Sequence, residues 1–287
     1  MSNFSSTSNI IKKIKPNLLI HCAGQVAVTK SVIDPRTDFN SNLLGTINIL
    51  ESIRLFSKKT KLINISTNKV YGNIINKRRV SQSKKRYKFS GKIKNINENY
   101  PLDFYSPYGC SKGAADQYVR DYSRIYGLDT VVLRMSCIYG NMQFGIEDHG
   151  WVTWITILSY FGKKIKIFGD GKQVRDVLFI NDLVKLFFKL SKSKKKIDTI
   201  YNVGGGIKNS LSIIELINVL EKKLILDKTI NAIVIATPPV LHKSIIKFAF
   251  KNNKHIFCEK PFTCSTKEAN FICNLIKRKK NISHMVN

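Results

Sequence analysis

The stretch SPYGCSK, residues 106–112, places the phenol of Tyr108 four residues ahead of the ammonium group of Lys112. Residues i and i+4 lie on one face of a helix, so both side chains would point into the same site. A free phenol has a pKa of about 10 and is a poor base at neutral pH. A cation within about 4–6 Å favours the phenolate, so we expect Lys112 to lower the pKa of Tyr108. The pair predicts proton abstraction from a hydroxyl group.

A second polar group is needed to hold the hydroxyl group of a substrate. The stretch STNKVYG, residues 66–72, follows an apolar strand pattern and supplies Ser66 and Thr67. The side chains around the tyrosine and lysine are small, which would let a large flat group approach the helix. They are Gly109, Cys110, Ser111, Gly113, Ala114 and Ala115. The spacing alone is weak evidence, because a surface tyrosine beside a solvated lysine has the same spacing.

The elements that must position these residues alternate between strand and helix patterns. The predicted strands are residues 17–24, 61–67, 129–136, 199–206, 230–239 and 254–261. The predicted helices are residues 34–56, 106–127, 151–161, 210–224, 240–253 and 265–280, and residues 164–190 add a turn, a strand and a helix. Gly127 is a predicted helix stop, and Ser210 or Ser212 and Ser265 or Thr266 are predicted helix starts. This alternation predicts a parallel sheet with helices on both faces.

Composition indicates a globular protein of one large or two modest domains. Of the 287 residues, 43% are hydrophobic, which is enough for a core. The sequence has no apolar run long enough to span a membrane and no signal-peptide pattern at its start. The six cysteines include no C-x-x-C pair, so we expect reduced thiols and a cytoplasmic location.

The formal charge of +29 permits several interpretations. The excess is spread along the chain and peaks in residues 76–95, which hold nine basic residues and no acid. A general drift in composition towards lysine explains this pattern best, and a loop that attracts nucleotides or a membrane surface is an alternative. The block shows no zinc-finger, RNP or helix-turn-helix signature, so we predict no dedicated binding of nucleic acid.

Further motifs occur in a fixed order around the tyrosine and lysine. They are HCAGQVAVTKS (21–31), DFNSNLLGTINILE (38–51), LRMSCIYG (133–140), GDGKQVRDVLFINDLV (169–184) and YNVGGGIKNSLSIIEL (201–216). Over roughly residues 10–225 the chain resembles the extended short-chain dehydrogenase/reductase superfamily, in its nucleotide-sugar epimerase and dehydratase branch. Within that branch it is most similar to the 2-epimerases of CDP-linked sugars, which form CDP-tyvelose.

The resemblance implies a hydride shuttle that uses bound NAD. Tyr108 would take the proton of the C2 hydroxyl, Thr67 would share that hydroxyl, and NAD would take the C2 hydride and return it to the opposite face of a 2-keto sugar. Lys112 would hold the nicotinamide ribose. A dehydratase would need an acid pair after the threonine, whereas this chain has Asn68 and Lys69, which favours an epimerase.

The same resemblance implies residues that bind cofactor and substrate. The cofactor would be lined by Ala23, Gly24, Gln25 and Lys112. The sugar pocket would be shaped by Gln143 and Trp151, and Arg175 would bind the nucleotide phosphates. Arg175 has an alternative as a surface ion pair with Asp176 or Asp182, and Trp151 has one in core packing. The resemblance also implies a homodimer, and no metal site is predicted.

Two features depart from this pattern. The family begins with a G-x-x-G-x-x-G loop that holds the pyrophosphate, and the sequence contains no such loop. Residues 230–262 resemble a different family, the glucose–fructose oxidoreductases and inositol dehydrogenases, including an E-K-P signature at residues 259–261. In that family the lysine, here Lys260, would work at the substrate carbinol. The alternative is that Lys260 performs no chemistry here.

We therefore predict two domains. Residues 1–226 would form an N- and C-terminally truncated NAD-dependent epimerase/dehydratase-like domain, and residues 227–287 a fragment of an oxidoreductase Rossmann domain. The predicted fold class is α/β, an incomplete doubly wound parallel (Rossmann-like) sheet with a partial substrate region, followed by a second Rossmann fragment. The functional alternative is a catalytically inactive fusion remnant or a non-enzymatic scaffold.

Overall fold

A computed structural model describes residues 1–72, 80–90, 96–161, 163–193, 199–237, 239–277 and 284–286. Of the basic block 76–95, residues 76–79 and 91–95 lie outside this description. The chain divides into two compact units. The first unit comprises Met1–Ser81, Lys88–Trp154 and Arg175–Ser210, and the second comprises Gln82–Tyr87, Ile155–Val174 and Leu211–Asn287.

Twelve strands occur in the described ranges. They are β1 (Leu18–His21), β2 (Lys61–Thr67), β3 (Val80–Gln82), β4 (Tyr87–Phe89), β5 (Thr130–Met135), β6 (Cys137–Tyr139), β7 (Val174–Phe179), β8 (Thr199–Val203), β9 (Ser210–Ser212), β10 (Ala232–Ile235), β11 (His255–Cys258) and β12 (His284–Val286). The strands predicted from the apolar runs are all present, although each is shorter than or equal to its predicted range.

The helices alternate with these strands. They are α1 (Phe4–Ile14), α2 (Val28–Ile33), α3 (Pro35–Phe39), α4 (Gly45–Phe56), α5 (Ser106–Tyr126), α6 (Trp151–Tyr160), α7 (Ile180–Lys192), α8 (Ile213–Leu226), α9 (Pro239–Lys251) and α10 (Thr266–Ile276). A π-helical segment, Asn40–Leu44, joins α3 to α4. Helix α1 was not predicted from the sequence. None of the described helices is both long and apolar enough to cross a membrane.

The central sheet of the first unit is parallel and has the strand order β1-β2-β5-β8. Successive residues of a strand point to opposite faces. Leu62 and Val132 accordingly lie in a core with α1, α4 and α5, whereas Ile63 and Val131 lie in a second core with α7. Helices therefore cover both faces, which confirms the predicted parallel sheet of an α/β fold.

Local signals in the sequence fix where several helices begin and end. Helix α5 ends at Gly127, whose φ of 68° is in the left-handed region that glycine tolerates. Helix α8 begins with a capping box, because the Glu215 backbone N–H donates to Ser212 Oγ (3.1 Å) and the Ser212 N–H donates to the Glu215 carboxylate (3.0 Å). Of the two predicted starts, Ser212 is therefore the cap. Ser265 caps α10 through its hydroxyl group, which accepts from the Glu268 N–H (3.3 Å).

The second unit contains a smaller parallel sheet, β10-β11-β12. Its core is formed mainly by α9, α10, β10 and β11, and it includes Leu241, Ile246 and Ile272. Helix α8 contributes Ile214 to the same core. By its packing α8 thus belongs with the second unit, and the domain boundary after residue 226 stays a prediction.

Candidate active site

The proposed catalytic residues meet at the carboxyl end of β2. Tyr108 is 8% exposed and Thr67 is 7% exposed. Thr67 lies close enough to the Tyr108 phenol to lower its pKa. The Lys112 ammonium group donates to the backbone carbonyl of Ile65, in the same strand, at 2.5 Å. The fold therefore brings together Tyr108, Lys112 and Thr67, three residues that the sequence pattern singled out.

The pKa of Tyr108 corrects one expectation. Burial raises it, because the phenolate loses the solvation of water; the hydrogen bond from Thr67 lowers it and the charge of Asp38 raises it further. The net direction is upward, so a lowered pKa of Tyr108 is not found, and the effect of Lys112 on this pKa stays a prediction. The physical reason is that desolvation of the phenol outweighs the favourable contacts of its phenolate.

The Lys112 ammonium group is also poorly solvated. Burial lowers the pKa of Lys112 from 10.5 to about 8, and the charges of Asp116, Asp38 and Cys22 oppose this shift. A lysine with such a pKa changes its protonation state close to neutral pH. At pH values close to 8, Lys112 would therefore be only partly protonated.

The turn after β1 comes close to Lys112. A side chain at Gly24 would have its Cβ 2.5 Å from Asn42 Oδ1 and 4.0 Å from Lys112 Nζ, so only glycine fits there. The Gln25 backbone N–H donates to the same Asn42 oxygen at 2.9 Å. Ala23 and Gly24 are exposed. This turn, residues 23–25, therefore presents open backbone next to Lys112, which fits the predicted contact with the ribose end of a dinucleotide.

The small residues of α5 have a different use from the expected one. A Cβ at Gly113 would lie 2.3 Å from a ring carbon of Phe104. The flat group that approaches the helix at this position is therefore an aromatic ring of the chain itself. At Gly109 a Cβ would meet only ordinary contacts, with the backbone carbonyl of Lys69 at 3.5 Å.

The two residues predicted to shape a sugar pocket lie at the start of α6 and in the loop before it. The Gln143 side chain donates to the carbonyl of Ile138 (3.0 Å) and accepts from the Thr153 hydroxyl (2.5 Å). Trp151 is half-buried, and its indole N–H has no hydrogen-bond partner in the described part of the chain. Their contacts with a sugar stay predictions.

The glycines of VGGG, residues 203–206, hold an acidic side chain. The backbone N–H groups of Gly205 and Gly206 donate to Asp176 Oδ1 at 2.7 and 3.1 Å. A Cβ at Gly204 would lie 2.0 Å from the other carboxylate oxygen of Asp176. This motif is therefore a cradle for a carboxylate of the same chain.

Arg175 lies in β7 next to this cradle. The two acids considered as its ion-pair partners have other contacts, since Asp176 binds the glycine N–H groups and Asp182 pairs with Lys185 at 3.0 Å. The pKa of Lys69 is lowered, first by burial and then by the positive charge of Arg175. The positive charges of Lys69 and Arg175 therefore act on each other within the first unit.

An ion pair that sequence reasoning missed lies behind β2. Arg134 binds the Asp116 carboxylate through Nε (2.8 Å) and Nη2 (2.9 Å), and both side chains are buried. The Ser66 hydroxyl donates to the same carboxylate at 2.9 Å, and Arg134 Nη1 donates to the Tyr71 hydroxyl at 3.1 Å. Ser66 therefore serves this pair, which leaves Thr67 as the hydroxyl beside Tyr108. The signal in the sequence that could have predicted this ion pair is the charged residue Arg134 within an otherwise apolar strand.

His21 ends β1 and is fully buried. Its Nε2 lies 3.0 Å from Thr46 Oγ1, and its Nδ1 has no hydrogen-bond partner within the described ranges. Burial, and then the charges of Lys112 and the N-terminus, lower the pKa of His21 from 6.5 to about 4. The described residues contain no group of three or more His, Cys, Asp or Glu side chains that could hold a metal ion.

This depressed pKa predicts an acid-sensitive first unit. Between pH 4 and 6.5 the unfolded state binds the proton that folded His21 excludes, so the free energy of unfolding decreases as the pH falls through that window. The loss amounts to about 3 kcal/mol at full protonation. Urea denaturation at several pH values, followed by the fluorescence of Trp151 and Trp154 in the first unit, measures it.

A His21→Asn variant should lose this part of the pH dependence. The matched control is His255→Gln, at an exposed histidine of the second unit, and it should leave the pH dependence unchanged. An equal slope in the His21→Asn variant and the wild type would contradict the assignment.

In the second unit, Lys260 is exposed and follows β11. The buried His242 ring joins the loops at the carboxyl ends of β10 and β11, with Nε2 2.6 Å from the carbonyl of Thr237 and Nδ1 3.1 Å from that of Phe262. The chemical role of Lys260 stays a prediction.

Comparison with known proteins identifies the family to which the chain belongs. Residues 1–204 match the NAD dependent epimerase/dehydratase family. The chain belongs to this family. Residues 190–287 match the oxidoreductase family with an NAD-binding Rossmann fold. Both family resemblances seen in the sequence are thereby confirmed, and the two matches overlap around β8.

The names of several curated relatives of this chain are those of nucleotide-sugar epimerases. CDP-paratose 2-epimerase of Salmonella typhi is 44% identical over 225 residues, which cover 76% of this chain and 66% of that protein. UDP-glucuronate 4-epimerase of Thermodesulfobacterium geofontis is 31% identical over 77% of this chain and 61% of that protein. The chain thus spans just under two thirds of the length of these relatives.

Solved structures of the family share the fold. UDP-glucose 4-epimerase of Thermotoga maritima, determined with UDP-glucose, has a TM-score of 0.67 and 26% identity over 79% of this chain and 67% of that chain. UDP-glucose 4-epimerase of Thermus thermophilus, determined with NAD, has a TM-score of 0.63 and 28% identity over 77% of this chain and 66% of that chain. The α/β fold with a parallel sheet is therefore that of the family.

Proposed function

We propose that this chain is an NAD-dependent nucleotide-sugar epimerase that acts at C2 of a CDP-linked sugar. The observation that carries the proposal is the buried pair of Tyr108 and Thr67 with Lys112 beside it and the open turn at Gly24 opposite. Support for the substrate comes from the 44% identity to CDP-paratose 2-epimerase. A dimer of this enzyme remains a proposal from the resemblance.

The residues divide the proton chemistry between them. Thr67 would hold the C2 hydroxyl, and Tyr108 would accept its proton and later return one to the same oxygen. Because burial raises the pKa of Tyr108, the phenol would need the charge of Lys112 to become a base. NAD, when bound, would supply the hydride acceptor and donor for the sugar carbon. The sugar would pass through a 2-keto form.

The end of β2 supports epimerisation over dehydration. Elimination of water from a sugar needs an acid close to the leaving hydroxyl. Asn68 and Lys69 follow Thr67 directly, in a single 3-10 turn that ends at Tyr71. The charge of Lys69 lies near that of Arg175, so this end of the site would favour the diphosphate of a nucleotide sugar.

The cofactor is the part of the proposal most open to test. The turn at residues 23–25 and Lys112 fit the ribose end of NAD, whereas the pyrophosphate has no G-x-x-G-x-x-G loop in this sequence. Isothermal titration calorimetry of the purified chain with NAD measures binding directly. We expect binding, and we expect at least a tenfold weaker affinity in a Gly24→Ala variant, whose Cβ would collide with Asn42.

Because the second unit also matches an NAD-binding family, a control is needed. Lys260→Ala, in the second unit, should leave the affinity unchanged if the first unit holds the cofactor. With binding established, conversion of CDP-paratose is followed by chromatography. If the folded chain does not bind NAD at millimolar concentration, the proposal is contradicted. The alternative, an inactive fusion remnant or a non-enzymatic scaffold, would then be favoured.

A further inference from the structure

One buried carboxylate near the active site has no role in the chemistry described above. Asp38 lies in α3 and is 1% exposed. Its Oδ1 accepts from the side-chain amides of Gln25 (2.9 Å) and Asn42 (3.1 Å), and its Oδ2 accepts a short hydrogen bond from the Ser111 hydroxyl. An ionised carboxylate only accepts hydrogen bonds, so this donor set suits its charged form.

These hydrogen bonds connect the turn at residues 23–25 with helix α5. Gln25 belongs to the turn that faces Lys112, and Ser111 lies in α5 between Tyr108 and Lys112. Asn42 reinforces the connection, because its amide donates to Ser111 Oγ (3.1 Å) while its carbonyl oxygen accepts the Gln25 backbone N–H. Asp38 is therefore the group on which the predicted cofactor turn and the catalytic helix converge.

The charge of Asp38 is not paired with a cation in hydrogen-bond contact. Its partners are two amides and a hydroxyl group, and among the described ion pairs none includes Asp38. Burying a carboxylate without such a partner is costly. Its charge acts on both Tyr108 and Lys112.

Three other groups act electrostatically with Lys112, and Asp116 has the largest charge effect among them and Asp38. Asp116 has its carboxylate bound by the guanidinium of Arg134. Burial raises the pKa of the Cys22 thiol and lowers the pKa of His21, so both are neutral at pH 7. Of the two carboxylates whose charges act on Lys112, Asp38 is thus the one without a cation in hydrogen-bond contact.

We propose that Asp38 is a positioning residue of this active site, which holds the cofactor turn against the catalytic helix and supplies a negative charge near Lys112. The inference deepens the proposed function and rests on it for the roles of Tyr108 and Lys112. The hydrogen-bond network itself does not depend on those roles.

The test follows the protonation of Lys112 in the apoprotein. The acetylation rate of Lys112 by acetic anhydride, measured against pH by mass spectrometry of its peptide, has an expected midpoint of about 8 in the wild type. In Asp38→Asn, which keeps the size and removes the charge, the midpoint should fall by about one pH unit. Asp38→Glu, which keeps the charge, should restore the wild-type midpoint.

Two controls separate charge from structure. Ser111→Ala removes a hydrogen bond to Asp38 but no charge, and Asp182→Asn removes an exposed charge of the first unit. Both should keep the midpoint. An unchanged midpoint in folded Asp38→Asn, or an equal fall in Ser111→Ala, would overturn the proposal. If Asp38→Asn does not fold, the smaller neutral variant Asp38→Ser is used with the same criteria.

NAD affinity provides the second readout. Asp38→Asn should weaken binding by about tenfold, because the turn at Gln25 would lose its anchor. If folded Asp38→Asn binds NAD as tightly as the wild type does, the positioning role is contradicted. A wild type that does not bind NAD would defeat the proposed function, while the Lys112 titration would still decide the electrostatic role of Asp38.

Discussion

Tyr108→Phe is expected to lower epimerase turnover by about 10³-fold, in line with the contribution of a positioned general base. The substitution removes only the phenolic oxygen, which lies beside Thr67 and would take the sugar proton in the proposed reaction. The ring would keep its buried position, so the thermal midpoint should change little. Turnover is measured as conversion of CDP-paratose by chromatography of the nucleotide sugars.

The control for this variant lies ten residues further along the same helix. Tyr118 is 45% exposed on α5, so Tyr118→Phe removes an equivalent oxygen away from the site. It should retain wild-type turnover. Comparable turnover in Tyr108→Phe and the wild type would eliminate Tyr108 as the base, whereas loss of turnover together with a large fall in thermal stability would point to a structural role.

Asp116→Ala is expected to lower the free energy of unfolding of the first unit by about 3–5 kcal/mol. The Arg134 side chain is 2% exposed, and the variant would leave its guanidinium without its bidentate partner in the interior. The Ser66 hydroxyl would also lose its acceptor, directly before Thr67 in β2. Turnover should therefore fall as well, because the strand end that carries Thr67 would lose its support.

Urea denaturation followed by tryptophan fluorescence measures this effect, since both tryptophans lie in the first unit. Asp182→Ala breaks an exposed ion pair with Lys185 and should cost less than about 1 kcal/mol. Removing both buried charges, in Asp116→Leu with Arg134→Met, should cost less than Asp116→Ala alone, because no unpaired charge remains. A cost below about 1 kcal/mol for Asp116→Ala would show that water reaches Arg134.

The sequence by itself determined the local features of this protein. The spacing of Tyr108 and Lys112 needs only the period of a helix to place both on one face. The helix stop at Gly127 and the caps at Ser212 and Ser265 depend on residues within one turn of each other. The apolar runs at residues 61–67 and 129–136 likewise predicted β2 and β5, because a parallel strand buried on both faces is recognisable from its own residues.

Only the tertiary structure decided the electrostatics of the site. Desolvation depends on what covers a group, so the raised pKa of Tyr108 and the lowered pKa of Lys112 follow from packing and not from their spacing. The same holds for Asp38, whose partner Ser111 lies 73 positions along the chain. Contacts between residues so far apart leave no periodic signal in the sequence, and the folded sheet is what brings these groups to one edge.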